Sequence, residues 1–300
     1  MADRSALSDA LAIARYHIVL VAMVAAVAFG WLMTGKYYWW IAPVVGLDWF
    51  FINLLNRVTD IEEDLKNKIP GTERVARKKR VLTIACFSAM LVSFLIGHVL
   101  CPGLTPWRIA VQAIGLGYNY DVVPTPKGLS RFKEIYFFKN FGSSVLFVLT
   151  CFVYPLAIDP SARVMGWPGI FTLALFFVPY ELTFEILYDL RDIEGDRAEN
   201  VPTYPVVHGA ERARQIIDAL LLFSSDVIVM AFAMKWIGAR ELLMLAAPPI
   251  QLVFYRPRYK RGLTPRDCIL LTHMASGLVV FYLIGNAVWL RAGLPANVYW

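Results

Sequence analysis

Two sets of oxygen-bearing side chains recur at helical spacing in this chain. Asn56, Asp60 and Asp64 stand in the stretch N-R-V-T-D-I-E-E-D, and Asp189, Asp192 and Asp196 in Y-D-L-R-D-I-E-G-D. Intervals of three and four residues bring each set to one face of a helix. Glu185 and Glu181 continue the second stripe inward, whereas Glu62 and Glu63 fall on other faces and read as solvated. Carboxylates so close together repel one another unless a cation lies between them, so the pattern reads as a divalent-metal site. Magnesium fits best: it takes oxygen ligands, keeps part of its water and shares itself with substrate phosphates. The plainer alternative is interfacial acids paired with Arg57, Arg191 and Arg197, which needs no repeated spacing. Gly195 either ends the second helix or lets its backbone turn.

A phosphorylated ligand needs positive groups beside the metal. Lys139, in F-F-K-N-F-G, lies within an apolar stretch, where an amine either snorkels to the surface or serves a cavity. Arg15, and Lys127 after Tyr120, lie at the matching end of their elements and read equally as ligand contacts or interfacial charges. Glu181 and Glu185 are ionisable groups inside a span, a placement that calls for a polar cavity or a partner. Aromatic residues gather at 132–141 and 176–184. The remainder of the ligand is therefore expected to be lipid.

The elements that must position these groups are membrane helices. The 300 residues are 58% hydrophobic and 17% charged, with a mean hydropathy of +0.54, and the apolar residues form long runs that a soluble globule would not carry. Nine crossings are expected, near 12–34, 38–57, 81–100, 106–121, 133–156, 167–190, 212–236, 240–256 and 267–291, the fourth and eighth being the shortest. The net charge of +6 does not call for nucleic acid, because the basic residues follow topology: segments 57–80, 122–133, 191–214 and 256–266 are rich in Lys and Arg and the alternate loops are not. By the positive-inside rule the N-terminus and both acidic clusters face the cytoplasm and the C-terminus lies outside. The first helix reads as retained, not as a cleaved signal. Cys86, Cys101, Cys151 and Cys268 lie in or beside apolar spans without metal-type spacing, and read as small apolar residues. Residues 1–300 read as one membrane domain, with polar segments 57–80 and 191–211 as cytoplasmic caps. Spans two and six, each ending in spaced acids, suggest an internal duplication.

These residues resemble the UbiA superfamily of intramembrane prenyltransferases. The N-D-x-x-D-x-x-x-D motif matches at Asn56, Asp60 and Asp64, with Arg57 in place of the second Asp. The D-x-x-D-x-x-x-D motif, often continued E-G-D-R, matches at Asp189, Asp192, Asp196 and Arg197, with Glu185 at the place of a frequent glutamate. A-R-Y-H at 14–17 is similar to an Arg-Pro-His opening, T-Y-P-V-V-H-G at 203–209 to the run after the second motif, and K-N at Lys139 and Asn140 sits where many members carry it. The Tyr-x-x-x-Lys element is not cleanly present, Tyr120 being followed by Pro124 and only later by Lys127. The resemblance implies an all-α integral membrane protein of nine transmembrane helices around a central cavity open to lipid, and magnesium-dependent ionisation of an isoprenoid diphosphate. It implies catalytic roles for Asp60, Asp64, Asp192 and Asp196 and metal ligation by these with Asn56 and Asp189. Diphosphate or substrate contacts are implied for Arg15, Arg57, Lys127, Lys139, Arg197, Tyr120 and Glu185. The expected partners are a small or lipophilic acceptor, with aromatic or quinone precursors favoured, and membrane lipid; the expected location is a bacterial plasma membrane. A UbiA-type terpene cyclase would share the metal motifs. A transporter would need polar groups across the bilayer's depth, and here they crowd toward one face.

Overall fold

A computed structural model describes residues 11–294 other than Ala12, Lys68, Lys127, Phe137 and Glu199. Its elements are, in order, α1 (Tyr16–Thr34), α2 (Ile41–Thr59), α3 (Ile61–Lys66), α4 (Thr72–Leu100), α5 (Thr105–Asn119), a hairpin of β1 (Val123–Thr125) and β2 (Gly128–Ser130), and α6 (Phe138–Val148). A π-helical turn at Leu149–Val153 then leads through α7 (Tyr154–Ile158) to α8 (Trp167–Ala198), α9 (Tyr204–His208), α10 (Ala210–Ala233), α11 (Ala247–Lys260) and α12 (Pro265–Arg291). The hairpin is antiparallel, with Val123 opposite Ser130.

Seven helical segments among the described residues are long and apolar enough to cross a membrane: α1, α2, α4, the α6–α7 run, α8, α10 and α12. The other two expected crossings are shorter. α5 has 15 residues, about 22 Å at 1.5 Å per residue against a hydrocarbon core of about 30 Å. α11 has 14 and is preceded by a 3-10 turn at Glu241–Ala246. The all-helical membrane bundle stands, while the expected count of nine is not reached among the described residues: seven helical segments meet the length, and α5 and α11 fall short of it.

The polar segments contain more helix than their charge suggests. α4 begins at Thr72, not near 81, and takes Arg74–Arg80 into its first turns after Gly71 turns the chain at φ +86°. α8 runs on to Ala198 through the whole second acidic motif. Arg, Lys and Glu are good helix formers, so polarity marks where lipid stops and not where the helix stops. At 32 residues α8 is about 48 Å long, and its last turns must stand clear of the hydrocarbon.

α1, α2 and α8 form the centre of the bundle, and α4 lies outermost, its apolar face turned to lipid. Between helices in lipid, association depends on close packing more than on a hydrophobic gain. α1 accordingly offers Ala22, Ala25 and Ala26 to its neighbours, all fully buried, and Gly115 of α5 lies so close to α2 that a Cβ there would stand 2.6 Å from Ile52. Polar cross-ties add to this. Arg108 of α5 donates to Asp48 of α2 at 2.7 and 3.1 Å and to the Ser93 carbonyl of α4 at 2.9 Å, while Tyr154 donates to Asp48 at 3.0 Å.

Candidate active site

The tails of α2 and α8, the starts of α1, α6 and α12, and the segment after β2 converge at one end of the bundle around a polar chamber of about 160 Å³. α2 ends at Thr59 because Asp60 leaves helical geometry (φ −101°, ψ 31°), and α3 resumes one residue later. Two backbone bonds bridge the break, Asp60 N–H to the Asn56 carbonyl at 3.0 Å and Asp64 N–H to the Asp60 carbonyl at 2.8 Å. The i to i+4 backbone bonds therefore continue across the break, while the dihedrals of Asp60 rotate α3 relative to α2 and bring Glu63, not Asp64, to the chamber. Asn56 donates its amide to Asp60, and Arg57 pairs with Asp64 at 2.7 Å.

On the α8 side, Lys139 stands between Asp189 at 3.1 Å and Asp196 at 3.0 Å. Asn140 donates to Asp189 at 2.6 Å, and Asp192 is held by the neighbouring Arg191. Lys133 bridges the first motif, 2.7 Å from Asp60 and 2.8 Å from Glu63, and Arg131 reaches Asp60 at 3.1 Å. Burial pushes the Asp60 carboxyl above the usual range even with these cations beside it. At Glu63 burial also pushes upward, but Lys133 and then Lys139 outweigh it and hold that carboxyl below its ordinary value. Each acid of the two motifs is thus countered by a lysine or arginine of the chain.

The donor set is oxygen throughout, as a hard divalent cation requires, and Asn56, Asp60, Asp189 and Asp192 of it line one chamber. Among the described residues no three His, Cys, Asp or Glu side chains converge to hold an ion by themselves. The arrangement fits a cation that arrives with phosphate oxygens and water, and does not fit a cage made by protein alone.

Of the residues singled out from sequence, Arg15, Asn56, Arg57, Asp60, Lys139, Glu185, Asp189 and Asp192 line the chamber. Asp64 and Asp196 lie buried behind it, joined to it through Arg57 and Lys139. Arg197 is exposed at the helix end, and Lys127 lies outside the described residues. Tyr120 packs instead with Phe87 and Val58, and Tyr118, two residues earlier, lines the chamber. α5 ends at Asn119 and Tyr120 is extended (ψ 151°), which turns its side chain away. Glu63 is not solvated as its face suggested; it lines the chamber on Lys133. Gly195 neither ends α8 nor turns it. It lies inside the helix, buried against Asn67.

Sequence reasoning missed Lys133, Arg191, Ser143, Tyr188 and His17 as wall residues. His17 is 6% exposed, stacks on Tyr188 with ring centres 6.3 Å apart, and its Nδ1 has no hydrogen-bond partner. The A-R-Y-H run held the only signal for it.

Ile18, Glu185 and Tyr188 also belong to the wall of a second, far larger cavity of about 580 Å³. Phe29, Phe147, Phe176, Phe177 and Phe184 line it, and along α12 it runs from Thr272 to Trp289, about 26 Å at 1.5 Å per residue. Of the described aromatic residues at 132–141 none lines it; Phe132 instead fills the space that Gly117 leaves.

The fold and site are those of an all-helical membrane bundle in which a charged chamber between acid-tipped helices shares part of its wall with a long apolar cavity. The chain matches the UbiA prenyltransferase family over residues 18–276 and belongs to that family. Its fold is that of a UbiA homolog from Archaeoglobus fulgidus, solved bound to GPP and Mg2+ (18% identity, TM-score 0.67, 93% of this chain and 99% of that one). The same homolog bound to DMAPP and Mg2+ aligns at 19% identity and TM-score 0.67, over 93% and 98% of the two chains. The chloroplastic 2-acyl-4-prenylphloroglucinol 6-prenyltransferase of Humulus lupulus is 25% identical over 201 residues, 64% of this chain and 47% of that protein. The chain spans about half the length of this curated relative.

Proposed function

We propose that the protein is a magnesium-dependent prenyltransferase that ionises an isoprenoid diphosphate and passes the prenyl group to an aromatic or quinone-precursor acceptor. The observation that carries this reading is the shared wall: Glu185 and Tyr188 face both the charged chamber and the apolar cavity, so one ligand can place its diphosphate in the first and its tail in the second. The Archaeoglobus homolog was solved with just such ligands, and the hop relative is named for prenyl transfer to an aromatic ring.

Asp60, Asp64, Asp189, Asp192 and Asp196, with Asn56, are the groups that would hold magnesium. Magnesium bound there supplies charge withdrawal from the leaving diphosphate. Arg15, Arg57 and Lys139 lie where they can take diphosphate oxygens, Lys139 by turning from Asp189 and Asp196. The phenylalanine wall keeps water from the allylic cation until the acceptor attacks. Residues 1–300 act in this reading as one membrane unit in a bacterial plasma membrane. The N-terminus and chamber are cytoplasmic, and segments 57–80 and 191–211 cover the chamber.

The test is incubation of purified protein with magnesium and farnesyl or geranylgeranyl diphosphate, with and without candidate acceptors, followed by mass spectrometry. A prenylated acceptor is expected. A cyclic hydrocarbon formed without acceptor would replace this reading with a terpene cyclase. Undiminished diphosphate release after Asp60→Ala or Asp192→Ala would remove the roles given to the acids, since loss of such electrostatic stabilisation costs about 10²–10³ in turnover.

A further inference from the structure

The apolar cavity has a polar spot in its wall, of which the diphosphate reading uses only Glu185. Glu181 and Glu185 lie one turn apart on α8, both on the cavity wall. Ser143 of α6 reaches both, 3.1 Å from Glu181 Oε1 and 2.9 Å from Glu185 Oε1, and Ser144 donates to the other oxygen of Glu181. A serine hydroxyl has one proton to donate. When it serves Glu181, Glu185 is left with the hydrogen bond that the two glutamates share. On the same wall Tyr180 is 7% exposed, and its hydroxyl has no hydrogen-bond partner.

A glutamate pair that shares the one proton of Ser143 and a tyrosine hydroxyl without a partner form an incomplete hydrogen-bond set, and buried polar groups are seldom left so. The sign of the wall narrows what completes it. No Lys, Arg or His lines this cavity among the described residues; the basic groups all belong to the smaller chamber. A ligand that carried its own carboxylate here would meet two acids in a wall with no basic residue of its own, and a poorly paired buried charge is costly.

We infer that Glu181, Ser143, Glu185 and Tyr180 form the acceptor subsite, and that it selects an uncharged lipophilic molecule bearing a hydroxyl over an anionic one. The hydroxyl donates to Glu185 and accepts from Tyr180. The subsite borders the chamber through Glu185, which sets the bound hydroxyl compound beside the point where the diphosphate head would end. The inference rests on the transferase reading above for the identity of the ligand as acceptor, and on the cavity alone for its charge.

The experiment uses the whole protein in nanodiscs of phosphatidylcholine, with magnesium and inorganic diphosphate present to fill the basic chamber. Binding of 4-heptylphenol and 4-heptylbenzoate, equal in tail and different in charge, is measured by equilibrium dialysis against empty discs. The phenol is expected to bind about tenfold more tightly or better, and Glu181→Gln/Glu185→Gln should bring the two toward parity. Glu185→Gln alone should give an intermediate ratio if the double variant fails to fold. Equal binding to the native protein, or a preference unchanged in the glutamine variants, overturns the subsite. Diphosphate release from geranylgeranyl diphosphate on the same discs separates the two ideas. A preference without release sinks the transferase and leaves the subsite, and release without a preference does the reverse.

Discussion

Gly195 makes room for Asn67. A Cβ at position 195 would lie 2.2 Å from Asn67 Oδ1, so the tail of α8 and the segment after α3 touch only because residue 195 has no side chain. The two acidic motifs are held together at this point. Replacing Gly195 by Leu should keep or raise thermal stability, since glycine is about 1 kcal/mol poorer than alanine inside a helix. Diphosphate release should nonetheless fall about tenfold or more as the motifs move apart. The double variant Gly195→Ala/Asn67→Ala should recover most of the activity. A Gly195→Leu protein of native turnover would show that the contact is passive.

Lys139 neutralises Asp189 and Asp196 at about 3 Å from each. Lys139→Met should lower turnover by about 10²–10³, the usual loss for one preorganised electrostatic group. Its two aspartates would then be left for cations, so Mn2+ binding measured by electron paramagnetic resonance should tighten while turnover falls. A parallel loss of both would contradict the pairing.

Metal and diphosphate should bind as a pair, because the carboxylates are already occupied by lysine and arginine. Magnesium alone should leave the melting temperature nearly unchanged. Magnesium with inorganic diphosphate should raise it, by the amount that saturating ligand binding adds to the folded state. A chelator should abolish both the shift and diphosphate release.

The Asp48–Arg108 pair does not line the chamber and is almost fully buried, at 0% and 2% of the side chain exposed. Gly97 leaves the space into which the Arg108 guanidinium fits. Asp48→Ala should cost about 3–5 kcal/mol by stranding a charge, read as a lower melting temperature in detergent. Asp48→Leu/Arg108→Met should restore much of it. Equal melting of the single and double variants would refute this.

The spaced acids were legible because helical periodicity is local: four residues make nearly a turn wherever they occur. Glu63 was misread for the same reason. The break at Asp60 resets the helical phase, so a face assigned on one continuous helix puts Glu63 on the wrong side. Tyr120 failed in a related way, one residue beyond the end of α5, where the backbone extends. Lys133 and Arg131 come from the 3-10 turn and the strand end before α6, segments without a period to read, and only the folded chain brings them to Asp60. The extent of the membrane bundle could be read from hydropathy, whereas the helical ends could not, since charged residues extend a helix beyond the lipid as readily as they end it.

The lysines and arginines seated on the acidic motifs have a consequence for the end of the catalytic cycle. If an incoming head group draws these side chains away, their return is downhill once the carbon–oxygen bond has broken. The protein's own carboxylates then compete with the spent inorganic product for the same ammonium and guanidinium groups. On the transferase reading proposed above, the chain thus carries a built-in eluent, one that would clear the chamber after each turnover and leave it charge-balanced for the next.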